Sequence, residues 1–306
     1  MPLQKIPHLN EDKFTWDSLH LLVNHINSVR EYYEIPHTIT IGELEEQFAY
    51  PNLNPSDNCS LFTVSGNIVG YKLVRPELQI GRTVLDFSLD PTYLNVMAAN
   101  EVIRSGISTA RLLGAKFLHI CLPSSEFWPD LLFELGFSKV REYWGMRRKP
   151  SPIKPPSMLD NFVISGFEIG DEQTLTRIQN AAFDGSWGFC PNTVEEIRYR
   201  LSTGPESNIG VRFLKDGSHT AGYCWPYIKG GDGPTTGIIG MIGISPEYRK
   251  QGLSEPLLLS SLAYLSSEGA ETIELEVDST NAPAIRLYSS QGFMKISTSY
   301  WFELFL

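Results

Sequence analysis

The clearest pattern of apolar and polar positions lies in the second half of the chain. The apolar run Gly240–Ile244 predicts a buried strand that ends before Pro246. An apolar-periodic segment begins near Gly252, where Leu258 and Leu262 mark one face at helical spacing. The pattern therefore predicts a strand, a short turn and a helix in direct succession.

A second strand and helix follow this first pair. Residues Thr272–Val277 alternate between apolar and polar side chains, which predicts a strand with one buried face. Asn281 can cap the helix that Pro283 opens, and Gly292 can end that helix in a left-handed conformation. The pattern thus predicts two strands in this half, each followed by a helix.

The turn between the first strand and its helix, Arg249–Ser254, has the chemistry of an anion site. A helix that begins directly after a turn presents unpaired N–H groups and the positive end of its dipole, which suit a phosphate. Arg249 and Lys250 add positive charge, and Gly252 removes a side chain from the place where a pyrophosphate would approach. Pro256 falls in the first helical turn, where its missing N–H costs little.

These residues resemble the GCN5-related N-acetyltransferase (GNAT) family. Residues 244–254 are similar to its Arg/Gln-x-x-Gly-x-Gly/Ala loop, with Ser254 in place of the last small residue. Residues 281–293 are similar to its Asn-x-x-Ala-x-x-x-Tyr-x-x-x-Gly-Phe segment. The resemblance implies a mixed α/β acyl-CoA N-acyltransferase fold, with a twisted and mostly antiparallel sheet flanked by helices, and acetyl-CoA as co-substrate.

The resemblance also implies the site residues. The backbone of Ile242–Ile244 would pair with the pantetheine arm of the co-substrate, and Tyr288 would protonate the departing thiolate. The alternative for Tyr288 is a core aromatic residue beside Ala284. The implied cofactor-binding residues lie on the strand, the turn and the second helix cap: Ile242, Gly243, Ile244, Arg249, Lys250, Gln251, Gly252, Leu253, Ser254 and Asn281.

Two features of the catalytic strands follow from the residues themselves. Gly240 and Gly243 are consistent with a bulge that splays the first strand and frees N–H groups. The general base stays open, because Glu274, Glu276 and Asp278 alternate onto one face of the next strand and a water relay is also possible.

The chain is divided near its middle by a proline-rich segment, residues 149–157, which predicts an extended linker. The two halves share matching patterns, for example Leu135-Gly136-Phe137 and Gln291-Gly292-Phe293. We therefore expect two tandem copies of the fold: a degenerate domain at 1–148 and an acetyl-CoA-binding domain at 158–306. This tandem layout resembles the mycothiol synthase-like group.

The first copy lacks the residues of the phosphate turn. Where the second copy has Arg249 and Gly252, the first has Tyr93–Ala99, and Met97 would project a side chain into the place of the pyrophosphate. We expect residues 1–150 to close one side of the acceptor site, or to stabilise the half that does. On that view residues 158–306 alone would still bind the co-substrate.

The composition and the net charge indicate a soluble globular protein and exclude some classes of partner. The 306 residues are 42% hydrophobic and 20% charged, which is ordinary for a soluble globular chain. A net charge of -10 argues against a nucleic-acid partner. We see no signal peptide and no apolar stretch of membrane-spanning length, so we expect a cytoplasmic protein without a membrane partner. The cysteine and histidine spacings predict no metal site.

The resemblance implies an N-acetyltransferase that transfers an acetyl group to the amine of a small-molecule acceptor, with the active site in the second half. The loop 184–189, between two predicted helices, would border the acceptor. The alternatives are a protein or peptide N-acetyltransferase and a non-catalytic acyl-CoA-binding sensor. We expect a monomer or a homodimer.

Overall fold

The structure is a computed structural model and describes residues 8–35, 38–149, 151–153, 161–203, 210–229 and 234–306. It divides into two compact units: unit 1 consists of Met1–Arg141 and Tyr300–Leu306, and unit 2 of Glu142–Ser299. Most of the predicted linker at 149–157 lies outside the described residues. The predicted domains 1–148 and 158–306 stay a prediction, and the two units differ from them in the placement of two strands.

Unit 1 is a mixed α/β unit with a mostly antiparallel sheet. Its strands run in the order β1-β2-β3-β4-β5, with β5 parallel to β4 and the other neighbours antiparallel. The elements are β1 (Asn10–Lys13), α1 (Leu19–Tyr32), α2 (Ile41–Phe48), α3 (Pro55–Asn58), β2 (Cys59–Val64), β3 (Asn67–Glu77), β4 (Arg82–Leu89), α4 (Val96–Leu112), β5 (Phe117–Pro123) and α5 (Phe127–Glu134).

The two faces of this sheet carry separate cores, because successive strand residues point to opposite faces. Leu61 and Leu73 pack with Leu22 and Phe48 of helices α1 and α2. On the other face, Val74, Leu85 and Leu118 pack against buried residues of α4. Unit 1 is therefore a sheet with helices on both faces.

Unit 2 repeats this plan. Strand β6 (Ser138–Arg148) begins in unit 1, and its residues from Glu142 onward belong to unit 2. The remaining elements are β7 (Phe162–Gly166), α6 (Glu172–Phe183), α7 (Val194–Ser202), β8 (Arg212–Asp216), β9 (His219–Lys229), β10 (Thr236–Ile244), α8 (Ser254–Ser267), β11 (Thr272–Asp278), α9 (Ala282–Ser290) and β12 (Met294–Phe305). The strand order is β6-β11-β10-β9-β8-β7, with β10 parallel to β11 and the other neighbours antiparallel.

Helices cover both faces of the second sheet as well. Leu257, Leu258 and Leu262 of α8 pack with the inward residues of β10 and β11. On the opposite face, residues of α6 and α7 pack against Phe213, Tyr223 and Trp225. The leucine spacing predicted the buried face of α8, and the alternating pattern predicted the buried face of β11.

Each unit takes one strand from the other half of the sequence. Residues Tyr143–Arg148 of β6, which close the first half of the chain, pair antiparallel with β11 in unit 2. The end of β12 joins unit 1 beside β5, where Leu306 N donates to Lys116 O at 3.0 Å. The sequence pattern gave no sign of this exchange, because pairing between distant strands leaves no local signature.

Candidate active site

The centre of the candidate site is a gap between β10 and β11. The two strands pair only from Thr236–Ile239 to Thr272–Leu275. A register shift between Ile239 and Met241 then bends β10 at Gly240, the bulge that the sequence predicted. Beyond it β10 stays paired with β9 as far as Ile244, but among the described residues it has no pairing with β11. Residues 241–244 thus present one open backbone edge to an extended ligand.

Gly243 serves a different purpose from Gly240. A Cβ atom at Gly243 would lie 2.7 Å from the Cβ of Ala182 and 3.0 Å from a ring carbon of Phe183. The missing side chain therefore lets the C-terminal end of α6 approach β10 closely. In consequence α6 lies directly over the open edge, and the loop 184–189 begins beside it.

The predicted phosphate turn leads into α8. Gly252 has a φ of +76°, and a Cβ built on it would meet no atom within 4 Å, so the turn is open on that side. Lys250 also adopts a left-handed conformation, with a φ of 64°. Leu253 is the N-cap residue of α8 and makes no side-chain cap. Glu255 N donates to Gly252 O at 3.3 Å and Pro256 has no N–H, so the donors that this end offers to an anion are the N–H groups before Glu255. These features fit a pyrophosphate.

Arg249 in the same turn donates hydrogen bonds to two backbone carbonyl groups. Its Nη2 donates to Ala182 O at 2.9 Å and its Nε donates to Ile244 O at 3.2 Å. The guanidinium therefore ties the turn to the ends of α6 and β10. A direct contact of Arg249 with the co-substrate stays a prediction, and Lys250 is the neighbouring cation whose side chain is exposed.

The matching helix of unit 1 begins differently. The side chain of Asn95 accepts a hydrogen bond from Ala98 N at 3.0 Å and so caps α4. Met97 is 64% exposed at the start of this helix. Because a side chain occupies one of the helix donors, this end is less suited to a phosphate than the uncapped start of α8.

The second predicted motif forms α9 as expected. Asn281 is the N-cap residue, and its side-chain oxygen accepts from Ala284 N at 3.2 Å. Gly292 follows the helix with a φ of 83°. The capping expectation is confirmed, while the contact of Asn281 with the co-substrate stays a prediction.

Tyr288 of α9 is buried in the core of unit 2. Its ring lies 6.0 Å from that of Phe293, edge to face. Burial, with a smaller contribution from Cys224, raises the pKa of Tyr288 above its ordinary value. The hydroxyl therefore keeps its proton at neutral pH, as a general acid requires. The same burial agrees with the alternative that Tyr288 is a core residue.

The acidic residues of β11 have separate environments. Arg147 of β6 forms an ion pair with Glu274, with Nε 2.7 Å from Oε1. The Asp278 side chain accepts from Thr280 N at 2.8 Å and from its hydroxyl at 2.7 Å, which fixes the turn before α9. For Glu276, burial raises the pKa above its ordinary value, although the residue retains solvent exposure.

No group of three or more His, Cys, Asp or Glu residues suited to a metal ion occurs in the part of the chain that the structure describes. Within the same residues, no helix is long and apolar enough to cross a membrane.

Comparison with known proteins identifies the domain that contains these residues. Residues 173–293 match the acetyltransferase (GNAT) family. They form a GNAT acetyltransferase domain. The match contains α6, the open edge of β10, the turn into α8 and the whole of α9. Acetyltransferases of this family use acetyl-CoA as co-substrate, and the chain is an N-acetyltransferase.

Relatives extend the similarity beyond this domain. A mycothiol acetyltransferase of Arthrobacter sp. (strain FB24) is 26% identical over 236 residues, which cover 75% of this chain and 72% of the relative. A mycothiol acetyltransferase of Thermobispora bispora is 31% identical over 171 residues, but there the match spans 52% of this chain and only 56% of the relative. The resemblance to the mycothiol synthase-like group is confirmed.

Solved structures confirm the predicted fold class. A GCN5-related N-acetyltransferase from Sphaerobacter thermophilus aligns with a TM-score of 0.75 at 17% identity, covering 97% of this chain and 95% of that one. A tandem GNAT protein from the clavulanic acid biosynthesis pathway aligns with a TM-score of 0.72 at 12% identity, covering 97% and 98%. At these identities the likeness shows the fold alone.

Sequence reasoning missed the neighbours that β6 brings to the site. Arg147 and Gly145 lie directly opposite Glu274 and Glu276, yet they are far from them in the chain. Nothing in the local sequence of residues 142–148 indicates the strand with which they pair.

Proposed function

We propose that this protein transfers the acetyl group of acetyl-CoA to the amine of a small-molecule acceptor, with a single active site in unit 2. The observation that carries the proposal is the open edge of β10 followed directly by the uncapped start of α8. Together they offer backbone groups to an extended arm and N–H groups to a pyrophosphate.

Within this proposal the backbone of Ile242–Ile244 holds the pantetheine arm. The turn from Arg249 to Ser254 and Asn281 bind the remaining part of the co-substrate. Tyr288 gives its proton to the thiolate as the thioester C–S bond breaks. The small-molecule acceptor is supported by the relatives, which are named mycothiol acetyltransferases.

The test uses the full chain with acetyl-CoA and a panel of primary amines: glucosamine, cysteine ethyl ester, spermidine and a short peptide with a free N-terminus. We expect calorimetry to give one acetyl-CoA per chain, and chromatography to show amine-dependent formation of free CoA and of the acetylated amine. Binding without thiol release from any amine would instead indicate a sensor. Release with the peptide alone would indicate a peptide acetyltransferase, and two binding sites would contradict the single active site.

A further inference from the structure

Glu276 differs from its two acidic neighbours on β11. Glu274 is held by Arg147, and Asp278 is held in the turn that precedes α9. Among the described residues, no hydrogen bond or ion pair to the Glu276 side chain is found. Glu276 is solvent-exposed, and because no group of the described residues holds its carboxylate, the side chain is available to a ligand.

The position of Glu276 places it at the gap. The parallel pairing of β10 with β11 ends at Leu275, so Glu276 is the first residue of β11 beyond it. Val277 and Leu275 point into the core beneath α8, and therefore Glu276 points to the opposite face. That is the face on which α6 packs against Gly243.

The residue opposite Glu276 is Gly145 of β6. A Cβ atom at Gly145 would lie 2.1 Å from the Oγ of Ser297 on β12, so no larger residue fits there without a shift. The carboxylate of Glu276 and the hydroxyl of Ser297 thus stand on either side of a strand position that has no side chain. The Ser297 hydroxyl occupies the space that a side chain at Gly145 would take.

We propose that Glu276 is the general base of the reaction, and that Gly145 and Ser297 form the floor on which the acceptor amine lies. This inference rests on the proposed function and adds the residues that receive the acceptor. Strand β6, the last strand of the first half of the chain, would then contribute Gly145 to the acceptor site.

The proton balance is complete with these residues. The acceptor arrives as an ammonium ion and gives one proton to the Glu276 carboxylate. Its nitrogen lone pair then forms the N–C bond with the thioester carbonyl carbon, and the C–S bond breaks. The thiolate takes a proton from Tyr288, and the second amine proton leaves to water as the amide forms. Glu276 then gives its proton to water and Tyr288 regains one from water, which restores both residues. The products are the acetylated amine and free CoA.

The surroundings of Glu276 agree with this role. The titratable and charged groups on the strands beside Glu276 include Glu274 and Asp278 of β11, Tyr143, Arg147 and Arg148 of β6, and Lys295 of β12, which lies 3.7 Å from Glu142. Strand β10 has no titratable side chain between Thr236 and Ile244. Partial burial raises the pKa of Glu276 and so brings that pKa closer to neutral pH, where a general base is most effective.

The first test compares Glu276→Gln with Glu274→Gln in the full chain. The two changes are chemically identical, on one strand and one face, but only the first removes the proposed base. For Glu276→Gln we expect kcat to fall roughly a hundred- to ten-thousand-fold, with the Kd of acetyl-CoA unchanged. Glu274→Gln should keep most of the activity.

The pH dependence of the reaction rate distinguishes a catalytic role of Glu276 from a structural one. The reaction needs ionised Glu276, so the wild-type rate should fall as the pH drops through the raised pKa of this residue. The acidic limb should disappear in Glu276→Gln and persist in Glu274→Gln. A wild-type rate and an unchanged profile in Glu276→Gln would overturn the proposal while leaving the proposed function intact.

The floor is tested by Gly145→Ala, which should raise the KM for the acceptor without changing the Kd of acetyl-CoA. If Gly145→Ala leaves the acceptor KM unchanged, Gly145 is not part of the floor.

A binding readout separates this inference from the proposed function. In isotope-labelled full chain saturated with CoA, adding glucosamine, cysteine ethyl ester or spermidine should shift the backbone amide signal of Gly145 with at least one amine. The shift should weaken in Glu276→Gln. Acetylation of an amine without a shift at Gly145 would overturn the acceptor floor alone. A shift without acetylation by the wild-type chain would support the floor and contradict the proposed function. Absence of both would overturn both.

Discussion

Arg249 Nη2 donates a hydrogen bond to Ala182 O at 2.9 Å, which joins the turn before α8 to the last turn of α6. The Nε of the same side chain donates to Ile244 O at 3.2 Å. One guanidinium thus connects the expected pyrophosphate turn, the open strand and the helix beside the acceptor loop. Its planar set of donors can serve two carbonyls at once, which a lysine ammonium on a flexible stem does less well.

We therefore expect Arg249 to act mainly through the shape of the turn. Arg249→Ala and Arg249→Lys should weaken acetyl-CoA binding by similar factors, because both lose the two-carbonyl contact. Calorimetry at two salt concentrations measures this, with Lys250→Ala as the control for a cation in the same turn. If Arg249→Lys binds like the wild type, charge rather than geometry is what Arg249 provides.

Gly252 and Gly269 form a matched pair for testing the effect of an added side chain. Both have positive φ values, +76° and +84°, and a Cβ would meet no atom within 4 Å at either position. Substitution by alanine should cost roughly 1 to 2 kcal/mol of folding stability at each, since a side chain is strained in the left-handed region. Only Gly252→Ala, and Gly252→Val more strongly, should also weaken acetyl-CoA binding.

Thermal unfolding measures the shared loss of stability, and calorimetry measures the difference in binding. Equal acetyl-CoA affinity in Gly252→Ala and Gly269→Ala would show that the turn does not receive the pyrophosphate.

Tyr288→Phe should lower kcat roughly a hundred- to ten-thousand-fold while the Kd of acetyl-CoA changes little, because a proton donor is lost but the ring remains. Burial raises the pKa of Tyr288, so the wild-type rate should fall on the alkaline side only above the ordinary range for tyrosine. Tyr264→Phe, another tyrosine of unit 2, serves as the control. A normal rate in Tyr288→Phe would make Tyr288 a core residue.

The strand exchange changes the expectation for fragments. Residues 158–306 lack β6, so β11 would lose its antiparallel partner and expose an unpaired edge. We now expect this fragment to fold poorly, in contrast to the expectation from sequence. The informative pair is 138–299 against 158–299, compared by circular dichroism and thermal unfolding. Equal stability of the two fragments would show that β6 is dispensable to unit 2.

Local patterns predicted the parts of the site that lie close together in the chain. The Gly240 bulge, the turn into α8 and the Asn281 cap each depend on a few consecutive residues, and the structure places all three where the pattern indicated. The base could not be chosen in this way. Glu274, Glu276 and Asp278 look alike in sequence, and only their neighbours distinguish them.

By itself, then, the sequence determined the succession of strand, turn and helix, because apolar periodicity, glycines and caps act over short distances. The fold class came from the resemblance of its motifs to a known family, and the tandem plan from the matching patterns of its two halves. Tertiary structure decided which strands are neighbours. It brought Arg147 to Glu274 and Gly145 to Glu276, and it directed the Arg249 guanidinium to Ala182. Such contacts join residues far apart in the chain, and whether a side chain is paired, buried or open to a ligand follows only once the backbone has been folded around it.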